Sequence, residues 1–240
     1  MRASFLRKFW IMAQGVAITL GISVLGLYMR FTGTYERTFA DRILRWWSRS
    51  LLKSPGVRVH VSNPHNTTVI PGTPCIIMSN HRSHYDIPLI FTSLPGSIRM
   101  LTKKELFKVP IWGRGLKAAE FLSIDRHDHA QAIKDLANAK EQMKSGIVLW
   151  IAPEGTRSRT GALGEFKKGG FMVAIQTGAT IIPVGIRDSE KILKPGTWDF
   201  CLNQDGHITI GRPFDASTYT LETRDRLMED VRRSIQELAQ

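Results

Sequence analysis

The sequence predicts an α/β domain, a sheet with helices packed on its faces, behind an N-terminal membrane-anchoring helical segment. Three observations predict it. An uncharged apolar run lies near the start, a basic amphipathic stretch follows it, and short β-rich runs alternate with helical ones through the rest. The chain has 240 residues, 42% hydrophobic and 22% charged, which suits a packed domain with an appendage and excludes a disordered chain. Cys75 and Cys201 are too few for a disulfide scaffold and fit a reducing compartment.

The apolar run is Phe9–Met29, 21 residues without a charge. As a helix it is about 31 Å long, close to the roughly 30 Å hydrocarbon core of a bilayer. Bases at both ends speak against a buried core helix, and no A-x-A site follows to mark a cleaved signal peptide. Its length fits either a transmembrane helix or a dip into the bilayer as half of a helical hairpin. On the next segment, Phe39, Ile43, Trp46, Trp47 and Leu51 share one helical face, and Arg42, Arg45, Arg49 and Lys53 share another. That pattern describes an interfacial helix with tryptophans at headgroup depth and arginines toward lipid phosphate. Residues 1–53 hold nine bases and two acids, a net +7, against +5 for the other 187 residues. Charge concentrated on the greasiest segment points to an anionic membrane surface and away from nucleic acid. The heavier basic flank follows the apolar run, which places the next domain on the cytoplasmic side.

Ser54-Pro55-Gly56 reads as a linker, so residues 1–53 form the anchor and residues 54–240 the α/β domain. Strands are expected at Val57–Ser62, Cys75–Ser79, Ile98–Thr102, Ile147–Ile151, Ile181–Ile186 and Ile208–Ile210. A helix is expected over Asp128–Ser145, with Ile133, Leu136, Ala137 and Met143 inward and Gly146 as its stop. A second spans Arg224–Leu238, with Leu227, Val231, Ile235 and Leu238 at helical spacing. Gly113-Arg-Gly115-Leu-Lys-Ala118 fits a loose dinucleotide pattern, but no first Rossmann strand precedes it.

The run Cys75–Ser79 leads into Asn80-His81-Arg82-Ser83-His84-Tyr85-Asp86. Ligand sites in open α/β sheets lie beyond the carboxyl ends of strands. Residues five apart on a helix are rotated by about 140° and do not face each other. For Asp86 to reach His81, the histidine must lie in the entering loop and the aspartate in the first helical turn. The carboxylate then holds one ring nitrogen and leaves the other as a general base. The plainer alternative is a strand–helix turn capped by Asn80 or Asp86. No C-x-x-C or H-E-x-x-H spacing occurs, and Arg82 speaks against a metal held by His81, His84 and Asp86. Ser83 lacks a G-x-S-x-G elbow.

A second buried run, Ile147–Ile151, enters Pro153-Glu154-Gly155-Thr156-Arg157-Ser158-Arg159. Arginine suits phosphate because its planar fork is always charged and donates in pairs. The alternative is a polar turn with Glu154 paired to Arg157. Lys103-Lys104 and Asp125-Arg126 follow further apolar runs, and Lys167-Lys168-Gly169-Gly170 opens a helix as a candidate anion-binding start.

Taken in order, these segments resemble the glycerolipid acyltransferase family, the lysophosphatidate acyltransferase type. Asn80–Asp86 resembles its N-H-x-S-x-x-D block. Phe121-Leu-Ser-Ile124-Asp125-Arg126 resembles its second block, with Glu120 where glycine is common and Ser123 where phenylalanine is common. Pro153–Ser158 resembles the third, and Ile182-Pro183-Val184 the fourth. The resemblance implies a mixed sheet flanked by helices, an enzyme of phospholipid biosynthesis, and acyl transfer from a thioester to 1-acyl-sn-glycerol 3-phosphate, giving phosphatidic acid. Another lysophospholipid or a lyso-aminolipid is the alternative acceptor, and a non-catalytic anionic-lipid binder the more distant one. It implies His81 as base with Asp86 behind it. It assigns acceptor glycerol phosphate to Arg126, Glu154, Gly155, Thr156, Arg157, Ser158 and Lys103, with Asn80, Ser83 and Pro183 shaping the pocket. No bound cofactor or metal is expected; acyl-CoA or acyl-acyl carrier protein is the co-substrate, and membrane lipids are the partners.

Overall fold

The computed structural model describes residues 2–124, 129–158 and 160–240. Asp125 and Arg126 lie outside them, as do the side chains at positions 129, 130, 132 and 133.

The strands are β1 (Arg58–Ser62), β2 (Cys75–Ser79), β3 (Ser97–Lys103), β4 (Leu122–Ile124), β5 (Ile147–Ile151), β6 (Thr180–Arg187), β7 (Asp205–Ile210) and β8 (Phe214–Asp215). They form one sheet ordered β1-β7-β6-β2-β5-β3-β4, with β8 against β6. The pairs from β6 through β2, β5 and β3 to β4 are parallel; β7 and β8 run antiparallel to β6. The sheet is therefore mixed. β2 and β5 are buried at every position, as strands covered on both faces must be. β4 has only three residues and stands at the edge, too short for a periodicity to announce it.

Helices α1 (Phe5–Phe31), α2 (Arg37–Lys53), α3 (Asp86–Ser93) and α4 (Trp112–Ala118) cover one face. Helices α5 (His129–Lys144), α6 (Gly169–Thr177) and α8 (Arg224–Leu238) cover the other, and α7 (Ser189–Ile192) is a single turn after β6. Successive residues of β2 serve opposite layers, Cys75 and Ile77 toward α3, Ile76 and Met78 toward α6. Each fully buried aliphatic side chain contributes about 1.5–3 kcal/mol. On α5 the inward residues are Leu136, Ala139 and Met143; Ala137, expected inward, is exposed. Ile133 lies outside the described side chains.

The N-terminal helices depart from a free anchor. The buried stripe of α2 is Leu44, Ser48 and Leu52, not the aromatic stripe, because α2 is wedged between α1 and α3. Trp47 donates its Nε1–H to Thr19 Oγ1 of α1 at 2.9 Å, while Trp46 is exposed. Arg45 donates to the Gly96 carbonyl. Helix α1 is tied to the domain at both ends. Ala3 N–H donates to Phe200 O and Lys8 pairs with Asp199 at 2.5 Å; at the far end Arg30 Nε donates to Ala118 O at 3.1 Å. Between them α1 crosses α4 so closely that a Cβ on Gly115 would stand 2.5 Å from Ser23 Cβ. The glycines of the loose dinucleotide pattern thus serve helix packing.

One polar cluster joins this helical pair to the sheet. Glu120 accepts two bonds from Arg37, at 2.8 and 3.0 Å, and lies 3.6 Å from Arg30 and 3.7 Å from Arg99. Burial alone would raise the Glu120 carboxyl; the bonds and charge of Arg37, with Arg99 and Arg30, outweigh it and hold the group below its usual range. Glu120 has φ +64°, a left-handed conformation that disfavours side chains, so the cluster costs backbone strain. Arg99, 1% exposed, pairs with Asp41 at 2.7 Å and donates to Ala119 O at 2.5 Å. Breaking a buried pair leaves an uncompensated charge. Asp41→Ala is expected to destabilise the protein by about 3 kcal/mol, read as a fall in the thermal midpoint in detergent; an unchanged midpoint would show that Arg99 does not need its partner.

Candidate active site

β2 lies between β5 and β6 with all three parallel, so the segments after Ser79 and Ile151 emerge side by side. Asn80 fastens the first of them. Its amide Nδ2 donates to Ile186 O at 2.8 Å, and its Oδ1 accepts from Ile186 N–H at 2.7 Å. This two-pronged grip on β6 holds the loop over the strand ends.

Asp86 opens α3 and is fully buried. Its Oδ2 accepts from Arg82 N–H at 2.7 Å, Ser83 N–H at 2.9 Å and the His81 ring at Nδ1, 2.6 Å away. His81 thus sits in the loop and Asp86 in the first helical turn, as the spacing requires. His81 Nε2 has no hydrogen-bond partner among the described residues. The imidazole stands edge-on to Trp150 at 6.1 Å between centroids, and Trp150 Nε1–H donates to Ser79 Oγ at 3.0 Å. Ser83 donates its hydroxyl to Leu193 O at 2.8 Å; the serine is a tie for the loop, not an exposed nucleophile.

The loop after β5 turns at Gly155, with φ +73°, and locks against His81. Glu154 Oε1 accepts from His81 N–H at 2.9 Å and Oε2 from Gly164 N–H at 2.7 Å. Both oxygens are engaged, and the turn pairing of Glu154 with Arg157 does not form. Ser158 N–H donates to His81 O at 2.8 Å, while its hydroxyl donates to Ala162 O at 2.7 Å. Arg157 is half-buried and has no ion pair among the described residues. Burial foremost, then the charges of Arg157 and His81, holds the His84 ring down at about 4. His84 is therefore neutral near pH 7, and Arg157 stands close to the reactive edge as an uncompensated cation.

The remaining sequence-predicted residues are dispersed. Thr156 is exposed and borders an open space with Lys167. Lys103 ends β3, two strands from β2, and is exposed beside Ile124. Arg126 lies outside the described residues. Pro183 is buried inside β6 against Gly211 and borders neither polar space at the strand ends. Its placement is a matter of fold. β6 pairs β8 through Ile181 and β7 from Val184 onward, so the absent N–H of Pro183 falls where the antiparallel partner changes.

Sequence reading missed two features. An apolar groove of about 460 Å³ runs from His84 and Tyr85 between α1, Trp112 and Trp198. Trp198 is 68% exposed in a Lys-Pro-Gly-Thr-Trp loop, and that lone exposed aromatic was the available signal. A polar basin on the other side is lined by Arg82 and Arg232, which are 150 positions apart in sequence.

The sequence model of a family described as Acyltransferase matches residues 58–187. The chain is 30% identical over 202 residues to the chloroplastic 1-acyl-sn-glycerol-3-phosphate acyltransferase BAT2 of Brassica napus, covering 82% of this chain and 57% of that protein. It is 32% identical over 130 residues to the 1-acyl-sn-glycerol-3-phosphate acyltransferase of Pseudomonas aeruginosa, covering 54% of this chain and 49% of that one. The chain thus spans about half the length of these relatives. The crystal structure of the 1-acyl-sn-glycerophosphate acyltransferase PlsC from Thermotoga maritima superposes with TM-score 0.75 at 25% identity, over 97% of both chains.

Asn80→Ala leaves the Ile186 N–H and C=O unsatisfied in a buried place, a cost of about 1–3 kcal/mol. A lowered denaturant midpoint is expected, measured by far-ultraviolet circular dichroism; an unchanged midpoint would mean that the loop holds without its grip on β6.

Proposed function

The chain belongs to the acyltransferase family, and we propose that it transfers an acyl group from a thioester to the free hydroxyl of 1-acyl-sn-glycerol 3-phosphate, forming phosphatidic acid. The observation that carries this reading is the His81–Asp86 pair at 2.6 Å, with the carboxylate buried and His81 Nε2 unoccupied at the carboxyl ends of parallel strands.

An unactivated hydroxyl is a poor nucleophile, so acyl transfer needs a base. His81 Nε2 takes the proton from the acceptor hydroxyl as its oxygen forms the new C–O bond at the thioester carbonyl. The tetrahedral intermediate collapses, the C–S bond breaks, and the leaving sulfur takes the proton from the imidazolium. Asp86 fixes the Nδ1–H tautomer and stabilises the imidazolium in between. A thiol pKa near roughly 8.5 makes the thiolate a ready leaving group, so no second acid is needed. Arg157, without a carboxylate partner among the described residues, is the residue proposed for the acceptor's phosphate, with Lys103 further along the same edge; Arg126 is proposed from the family resemblance alone. Glu154, Gly155 and Ser158 hold the His81 loop in register, and Thr156 lies on their open side. The activity for which the relatives are named supports the acceptor.

Residues 1–53 are proposed as the membrane anchor and residues 54–240 as the catalytic domain. Both ends of α1 are bonded to that same domain. A helix so tied lies along the interface with its outer face in lipid, beside Trp46 and Trp198, rather than crossing the bilayer. The bases of residues 1–53 fit the anionic cytoplasmic leaflet. This places the apolar groove at the bilayer and lets a lysolipid reach His81 without passing through water.

His81→Ala is expected to lower kcat by about 10²–10⁴ while the protein stays folded, and Asp86→Asn by a similar factor. Arg157→Ala should raise the lysophosphatidate KM more than it lowers kcat. Phosphatidate synthesis from labelled lysophosphatidate and palmitoyl-CoA checks all three, and a wild-type rate for His81→Ala would sink the assignment. For the anchor, cysteines placed at Ser4 and Thr32 in a Cys201→Ser background should both react with an impermeant maleimide from one side of a vesicle. Cys75 will not interfere, because burial pushes its thiol up to about 12. Labelling of the two positions from opposite sides would mean that α1 spans.

A further inference from the structure

The proposed reaction joins two media. Its acceptor is a lipid, while the carrier left behind after transfer is water-soluble and charged. One base must therefore be reached from two directions. The apolar groove beside His84 is one approach. The other is a polar basin of about 390 Å³, which shares no lining residue with that groove. Asn80 and Arg82, the chain neighbours of His81 on either side, both line it, and so does Ser158, whose N–H donates to His81 O.

We infer that this basin docks the phosphopantetheine arm that carries the acyl thioester, the portion common to coenzyme A and acyl carrier protein. The inference rests on reading the chain as a thioester-dependent acyltransferase. The arm has a phosphate ester at one end, two amides and a gem-dimethyl group along its length, and the sulfur at the other end. The basin offers a counterpart to each. Arg82 and Arg232 present guanidinium groups suited to phosphate. Ala239, at the end of α8, offers a carbonyl outside the helical ladder to an amide N–H group, and the Gln236 amide stands one turn earlier. Ala162 and Leu163 supply an apolar wall.

The charge balance permits an anion. Two carboxylates are near. Glu154 spends both oxygens on backbone N–H groups, and Glu190 pairs with Arg82 at 3.6 Å, which leaves Arg232 as the guanidinium of the basin without an ion pair among the described residues. Arg232 is held in place without a carboxylate: it donates to Leu163 O at 2.9 Å and to Gly164 O, and lies over the Phe166 ring at 5.3 Å. A third guanidinium, Arg187, binds the Gln240 carbonyl at the rim. Arg232 and Arg187 are held before any ligand arrives, which lowers the ordering cost of binding.

The test uses Gln236, exposed and outside the catalytic and acceptor sets, in the full chain in detergent micelles. Gln236→Glu should raise the KM for palmitoyl-CoA about fivefold, and Gln236→Lys should lower it by a similar factor, as expected for one charge near a partly buried phosphate. Neither should move the KM for lysophosphatidate or for the phosphate-free donor palmitoyl-N-acetylcysteamine. Calorimetric binding of coenzyme A alone should follow the same order. Palmitoyl-acyl carrier protein responding in parallel would assign the basin to the shared arm; a response with only one carrier would name that carrier. An equal effect on the phosphate-free donor, a shift in the lysophosphatidate KM instead, or charge-insensitive coenzyme A binding would each overturn the inference. Charge-sensitive coenzyme A binding by a protein that makes no phosphatidate would overturn the proposed reaction and leave this site standing.

Discussion

The reactive edge depends on one carboxylate withdrawn from water. Asp86 Oδ2 gathers two backbone N–H groups and the His81 ring from within five residues of itself. An ionised buried carboxylate is costly unless it is bonded on this scale. The loop Asn80–Tyr85 therefore has little choice of conformation: any rearrangement strips donors from a charge that cannot reach solvent. His81 inherits its orientation from that constraint. The second loop then needs only Glu154 and Ser158, binding the N–H and the carbonyl of the same histidine, to be registered against it.

The same device recurs on β3 with the sign reversed. There the buried charge is the Arg99 guanidinium, and Asp41 and Glu120 are brought to it from α2 and from the turn before β4. Glu120 holds a backbone conformation that glycine would adopt freely. Its carboxylate must outweigh that strain, and it does so by meeting three arginines from three elements at once. The departure noticed in the second sequence block is thus a change in how the helical pair is fastened to the sheet. It leaves the His81 loop untouched.

Much of the fold was legible because the buried strands are continuous β-branched and aliphatic runs. β2, β5 and the core of β6 need no partner to be recognised. The His81–Asp86 geometry was legible too, since the spacing permits contact in only one arrangement. What failed was whatever depended on which neighbour covers a surface. Ala137 and Ala139 are equivalent in hydrophobicity, and only the packing of α5 against the sheet selects the latter. A helical wheel of α2 cannot show that α1 lies along it and takes the Trp47 indole N–H. Arg82 and Arg232 meet only because α8 packs on β6, a long-range consequence with no local signature.

In the proposed reaction one base serves a lipid and a soluble carrier, which sets a conflict of solvents. If the site opened only to water, the acyl chain would be exposed. If it opened only to lipid, the departing thiolate would be stranded in a medium that disfavours charge. The mixed sheet resolves this without a moving part. The parallel strands set His81 at their carboxyl edge, α1 and α2 bring apolar surface to one side of it, and α8, packed on the opposite layer, brings arginine to the other. The groove borders His84 and Tyr85 beside α1, the basin borders Asn80 and Arg82 beside α8, and the two share no lining residue, so the segment that carries His81 stands between them.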